Sequence, residues 1–244
     1  VGFGDNGVVY VAGRTKSSLP SGGGTIGGWD NYLMAVAPDA KGAPKTLFTT
    51  QFGSVGEDSV GGMVINGSTV TVAGVENGRG VLRSFTVTPS VTDTVRTDDN
   101  GFTNITTTTT TNGVPTVSST DYGAHNGGTD PVKVTSTTHT SAASFTTGAT
   151  RDLGQMGGGT IKGLGLDGGY LWVAGTTSNG AQDVSGVTRA YAGAQAAFAA
   201  RLSTDLSSTA GDNLAYFGGT GNDTVTAMTV ADGKVWVAGG ASAD

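Results

Sequence analysis

Four times along this chain the same short run ends in Val-Ala-Gly: Val11-Ala12-Gly13, Val72-Ala73-Gly74, Val173-Ala174-Gly175 and Val237-Ala238-Gly239. The valines stand 61, 101 and 64 residues apart. A unit of roughly sixty residues therefore recurs, its middle copy lengthened by about forty, and such a unit must stack on its neighbours to cover its apolar faces. This constrains the architecture far more than anything in the chain constrains its chemistry.

The likeness extends beyond the tripeptide. At an offset of 165, Phe52-Gly53-Ser54-Val55-Gly56-Glu57-Asp58 lies on Phe217-Gly218-Gly219-Thr220-Gly221-Asn222-Asp223 without a gap, and Met63 and Ile65 fall on Met228 and Val230. At an offset of 101 the match is weaker: Leu153-Gly154 lies on Phe52-Gly53, and Gly159 stands where the other copies have aspartate. Upstream, Tyr32 to Val36 resembles Phe198 to Leu202, with Val81 to Phe85 as the middle equivalent.

Each unit offers four runs of strand length: Val60 to Ile65, Thr69 to Ala73, Val81 to Val87, and Gly154 to Ile161 or its equivalent Leu47 to Phe52. They are rich in Val, Thr and aromatics and are separated by Gly, Asn, Asp and Ser, which is an all-β pattern. Asn66-Gly67 and Asp232-Gly233 read as tight hairpin turns. The 43 glycines among 244 residues far exceed the ordinary usage of about 7%, in keeping with many turns and close backbones. An alanine-rich run from Ala192 to Ala200 has helical propensity, but its place in the repeat assigns it to a strand.

The chain has no cysteine, so neither a disulfide framework nor a thiolate zinc site is available. A net charge of −6 argues against nucleic acid and anionic membranes as partners. No run is long and apolar enough for a spanning helix. Val1 enters a repeat with no initiator Met or signal peptide, and both ends read as cut from a longer chain.

The succession Gly28-Trp29-Asp30-Asn31-Tyr32-Leu33-Met34-Ala35-Val36, then Leu47 to Gly53, Gly56-Glu57-Asp58, Met63 to Ile65 and Val70 to Gly74 resembles the bacterial SBBP-type β-propeller repeat. The likeness returns at Ala197 to Leu202 and from Tyr216 to Gly239. It implies four-stranded antiparallel blades and an extracytoplasmic location, and brings no catalytic residues. More narrowly, Trp29 to Asn77 and Val225 to Gly239 resemble the repeat region of flagellum-associated FlaEY-type proteins of alphaproteobacteria. Three complete units fall short of the four to eight blades of a closed propeller, so an arc of a larger ring is expected.

The long middle copy divides the chain into residues 1–87 (first unit and start of the second), a Thr-rich insertion at 88–149, and residues 150–244 (rest of the second unit and the third). The insertion has extended runs at Thr92–Thr97, Phe102–Thr111 and Thr116–Tyr122, with turns at Asp98–Gly101 and Asn112–Pro115. It reads as a projecting β-hairpin or meander, or as partly disordered, and as a contact element or a solvated extension.

Gly218 to Thr226 fits the calcium-binding nonapeptide of β-rolls, but it has no tandem partner to complete a coordination shell; a turn with Asp58 and Asp223 accepting backbone N–H bonds is the better reading. Tyr10, Trp172 and Trp236 share one repeat position, filled by Thr71 in the second copy, and are expected in the core between sheets. Trp29, beside Asp30, is the better surface aromatic. His125 and His139 both lie in the insertion, with Asp121 and Asp130 merely near in sequence, and no Gly-x-Ser-x-Gly elbow is present. Glu57, Asp58 and Asp30 could serve as paired carboxylates, though their places at turns favour a structural role.

No catalytic, cofactor-binding or metal-binding residue is assigned, no cofactor is expected, and the chain is not read as an enzyme. The expected function is an extracellular structural or interaction module on a bacterial surface or flagellum, with other protein subunits, or itself, as partner in an assembly. The alternative is a carbohydrate-binding or carbohydrate-cleaving propeller with Trp29, Asp30, Asp58 and Asp223 near its site.

Overall fold

The computed structural model describes residues 1–4, 8–38, 44–88, 90–97, 103–111, 114–121, 135–141 and 144–242. Every regular element among them is a β-strand. The first sheet runs β1 (Gly2–Phe3), β2 (Val9–Thr15), β3 (Asp30–Pro38), β4 (Pro44–Phe52), each strand antiparallel to the last. The second repeats this order with β5 (Asp58–Asn66), β6 (Thr69–Glu76), β7 (Arg79–Thr88) and β12 (Ser144–Gln155). The third has β13 (Thr160–Asp167), β14 (Tyr170–Thr177), β16 (Ala196–Ser203) and β17 (Asn213–Phe217), with β15 (Val187–Arg189) parallel to β17 on its outer side. A fourth sheet holds β18 (Asp223–Ala231) and β19 (Lys234–Ala241) only. The alanine-rich run is strand from Ala196 onward, in β16, while Ala192 to Gln195 precede it.

Two runs differ from the sequence reading. The fourth strand of the second sheet stops at Gln155, and Ile161 belongs to the next sheet. Gly157 (φ 59°) and Gly158 (φ 84°) turn the chain between them. The hairpin after β5 closes on Gly67 and Ser68, with Asn66 still paired to Thr69. Its equivalents are Gly168-Gly169 and Asp232-Gly233, where both central residues have positive φ, the backbone of a type I′ turn. The dipeptide Asn66-Gly67 was therefore placed one residue too early.

The insertion enters between the third and fourth strands of the second sheet. Beyond the β7–β12 pairing, which closes at Thr88 opposite Ser144, lies a separate sheet of order β10-β9-β8-β11: β8 (Ser90–Thr97), β9 (Thr103–Thr111), β10 (Val114–Asp121) and β11 (Thr135–Ser141). It has four strands where three runs were expected. The third begins at Val114, because Pro115 pairs with Thr110 instead of turning the chain. The expected turn at 98–101, Asn112-Gly113, His125 and Asp130 lie outside the described residues; His139 and Asp121 stand on β11 and β10.

The core lies between successive sheets. Period-two alternation lets β6 serve two of these layers: Val70 and Val72 join Tyr10, Leu33, Ala35 and Phe52 of the first sheet, while Ala73 and Val75 join Leu171, Val173 and Phe198 of the third. Each such Leu or Phe contributes about 1.5–3 kcal/mol by leaving water. The layer between third and fourth sheets is much smaller, formed by Ala174, Ala197, Ala199 and Val225 with Met228 against them.

The recurring Val-Ala-Gly has a physical cause in the strand before it. Register shifts at Val60/Gly62, Ile161/Gly163 and Val225/Ala227 place a bulge at one position in three sheets. The bulge turns the carbonyl oxygens of Ser59, Thr160 and Thr224 onto the Cα atoms of Gly74, Gly175 and Gly239, where a Cβ would overlap them. The bulge also brings neighbouring sheets close: a Cβ on Gly62 would meet the backbone of Gly163-Leu164, and one on Gly163 would meet Met228.

Candidate interaction surface

The aspartates singled out in the sequence are fixed in loops. Asp58 is buried; its Oδ2 accepts the Ser54 N–H at 2.8 Å, and its Oδ1 accepts the Ser54 hydroxyl at 2.6 Å and the Asn77 N–H at 3.2 Å. Asp30 is wholly buried and accepts the N–H groups of Ile26 (2.8 Å) and Gly27 (2.9 Å). Asp223 accepts the Gly219 N–H at 2.9 Å on Oδ2. Gly53 (φ 139°) and Gly218 (φ 122°) are required beside these carboxylates, since a Cβ at either would overlap Oδ2. Carboxylates held this way cap loops.

The two equivalent loops differ in one respect. Asp223 Oδ1 is buried and lacks a hydrogen-bond partner, because Gly219 stands where Ser54 supplies a hydroxyl. Gly219→Ser is therefore expected to raise stability by about 1 kcal/mol, the worth of a hydrogen bond to a charged group less the entropy of ordering the side chain. Urea unfolding checks it; a lower midpoint would show that the second oxygen is satisfied some other way.

Trp29 is half-buried, with the Arg14 guanidinium 4.5 Å and the Lys16 ammonium 5.0 Å from its ring centroid. The ring is thus already engaged by two cations. Among the described residues no group of three or more His, Asp or Glu side chains is placed to hold a metal ion.

Val1, Phe3, Ile26, Val55 and Val187 are exposed apolar side chains spread over the molecule, and a group of three, Phe217, Trp236 and Val237, lies at the last sheets. Val237 is 37% exposed, whereas its counterparts Val72 and Val173 are buried at 2% and 0%. Trp236 was expected in the core with Tyr10 and Trp172, and is instead 59% exposed. β6 lies between β5 and β7 and β14 between β13 and β16, but β19 pairs with β18 alone. Two clefts flank it. One of about 430 Å³ is lined by Trp172, Ala199, Arg201, Phe217, Val235 and Val237. The other, of about 480 Å³, includes Phe217, Asp223, Trp236 and Gly239.

No protein-family model matches the chain. A curated protein does. The chain resembles Regulatory protein FlaEY. That protein is from Caulobacter vibrioides and is 46% identical over 241 residues, an alignment covering 98% of this chain and 22% of FlaEY. The chain thus spans about a fifth of its relative's length. The alignment takes in the insertion as well as the repeats, so the Thr-rich segment is part of what is shared with FlaEY.

Proposed function

We propose that this chain is a non-enzymatic scaffold segment of a flagellum-related regulatory protein of the FlaEY kind, situated outside the bacterial cytoplasm. Its successive sheets act as SBBP-type propeller blades in an arc of a larger ring, and the insertion is the element that touches another protein subunit. The observation that carries this reading is the 46% identity to a regulatory protein along 98% of the chain. The engaged carboxylates support the non-enzymatic part, because Asp30 and Asp58 already accept two or three hydrogen bonds each. The carbohydrate reading gains nothing from Trp29, whose ring meets Arg14 and Lys16.

The pairing of Thr88 with Ser144 allows a direct test. Residues 90–141 are replaced by a short Gly-Ser turn in the parent gene of the source bacterium, leaving the second sheet intact. Swimming in soft agar is expected to fail while the protein accumulates at its usual level. Normal motility would remove the insertion from the function, and normal motility after deletion of the whole segment would remove the flagellar role. Protease treatment of intact cells reads the location independently: cleavage of this segment is expected, and full protection would place it inside.

A further inference from the structure

We propose that Arg14, Lys16 and Trp29, at the junction of the first and second sheets, form a docking site for an acidic peptide segment of another protein. The site is separate from the insertion and does not rest on the flagellar reading. Both cations are exposed and lie over one indole, the Arg14 guanidinium 4.5 Å and the Lys16 ammonium 5.0 Å from its centroid. They are therefore no further apart than the sum of these two distances. Arg79, Arg83 and Arg151 are each held by a carboxylate, but among the described residues neither Arg14 nor Lys16 is, although the chain carries a net charge of −6. Two neighbouring like charges repel, and an incoming carboxylate relieves that repulsion. The ring holds both side chains in place, so less rotamer freedom is lost when they bind.

The repeat does not require these side chains. Arg14 opposite Asn31 corresponds to Val75 opposite Gly80 in the second sheet and to Thr176 opposite Ala197 in the third. Lys16, two residues on, corresponds to Asn77 and Ser178. The Trp29 carbonyl accepts the Asp58 N–H at 3.0 Å, and in the third sheet the Gln195 carbonyl accepts the Asp223 N–H at the same distance. A residue without an indole thus makes the same backbone contact, and the tryptophan with its two cations belongs to the first unit alone. The surroundings specify the occupant. Gly27 lies against the backbone of Ser54 and Val55, which puts Ile26 and Val55, 43% and 80% exposed, on adjoining loops. Carboxylates for the two cations and an apolar side chain for these loops describe an acidic peptide. Glu57, exposed and set against Gly28, adds a negative charge at the margin. That charge disfavours a densely charged polyanion, such as a nucleic acid or a polyuronate, over a peptide with spaced carboxylates.

The test titrates the 244-residue chain with a synthetic peptide of alternating glutamate and leucine and follows the Trp29 indole N–H by NMR, its signal assigned by its loss in Trp29→Phe. A saturable shift is expected. The double variant Arg14→Gln with Lys16→Gln, its amide spectrum showing it folded, should bind about tenfold or more weakly. Added salt should weaken binding to the unaltered chain, since both cations are exposed, and a peptide with glutamine in place of glutamate should give no shift. Glu57→Gln should tighten binding about twofold by removing a like charge across water, a gain that no misfolded variant would give. Three results overturn the proposal. One is no shift at millimolar peptide. Another is undiminished affinity in the folded double variant. The third is tighter binding of polygalacturonate or oligothymidylate than of the peptide, since the occupant would then be a glycan or a nucleic acid. None of these depends on motility, so this proposal and the functional reading fail separately.

Discussion

Gly175→Ala is expected to destabilise the protein by roughly 3 kcal/mol, at the upper end for overpacking a buried site. The glycine lies in the middle of β14, flanked by β13 and β16, and its φ is not one that alanine avoids, so backbone conformation is not the obstacle. The obstacle is the Thr160 carbonyl oxygen, which the bulge in β13 places where the Cβ would go, with Phe198 3.0 Å away on the other side. Relief requires β13 to move, yet β13 is wedged between Gly61-Gly62 of the second sheet and Met228 of the fourth. Gly74→Ala meets Ser59 in the same way. Gly239→Ala, in the open half-sheet, should loosen β18 and β19 locally with little effect on the whole, seen as faster amide exchange there. Gly24→Ala is the control, having open space at its Cβ and no positive φ. Urea unfolding of the four variants should rank them so. A loss below about 1 kcal/mol for Gly175→Ala would mean that the bulge is not what fixes the repeat.

How much of this was legible beforehand follows the same physics. Val-Ala-Gly could be read because its glycine answers to a local constraint that repeats, a bulged neighbour strand in three of the sheets and the Tyr32 ring beside Gly13 in the first. Gly53 and Gly218 were legible for a like reason, each making room for the carboxylate five residues on. Strand ends were less so: the stop at Gln155 depends on Met156, whose N–H donates to Gly78 O and whose carbonyl accepts from Gly159 and Ser178, contacts from distant turns that no local pattern announces. The exposure of Trp236 was misread for a different reason. A residue's burial in a stacked repeat belongs to its neighbouring units as much as to its own strand, and equivalence of sequence does not guarantee equivalence of neighbours. The insertion sheet was half legible: its threonines announce extended backbone, while the pairing of β8 with β11 joins residues some forty positions apart.

Arg151→Met is expected to cost about 3–5 kcal/mol, the usual penalty for stranding a buried charge. Arg151 sits on β12 of the second sheet, and its guanidinium donates to Asp212 Oδ2 at 3.0 Å and to the Asp183 carbonyl at 2.9 Å, both in loops of the third sheet. The Asp212 side chain is fully buried and that of Arg151 is 12% exposed. Without the arginine, Asp212 keeps only the Ser203 N–H at 3.1 Å. Repeat equivalents of Arg151 are Thr50 and Ala215, so the pair ties this one junction and is no general feature of the unit. The double variant Arg151→Met with Asp212→Asn removes both charges and retains the Ser203 bond. It should recover most of the loss, giving a strong favourable coupling in a double-mutant cycle. Salt should change the Arg151→Met penalty little, because a buried pair is poorly screened. Arg79 and Asp152 are the contrast on the same sheet, at 2.7 Å but 43% exposed on each side, and Arg79→Met should have a small, salt-sensitive effect. If Arg151→Met proved as mild as Arg79→Met, water would have to reach Asp212, and the junction between second and third sheets would be open where the structure has it closed.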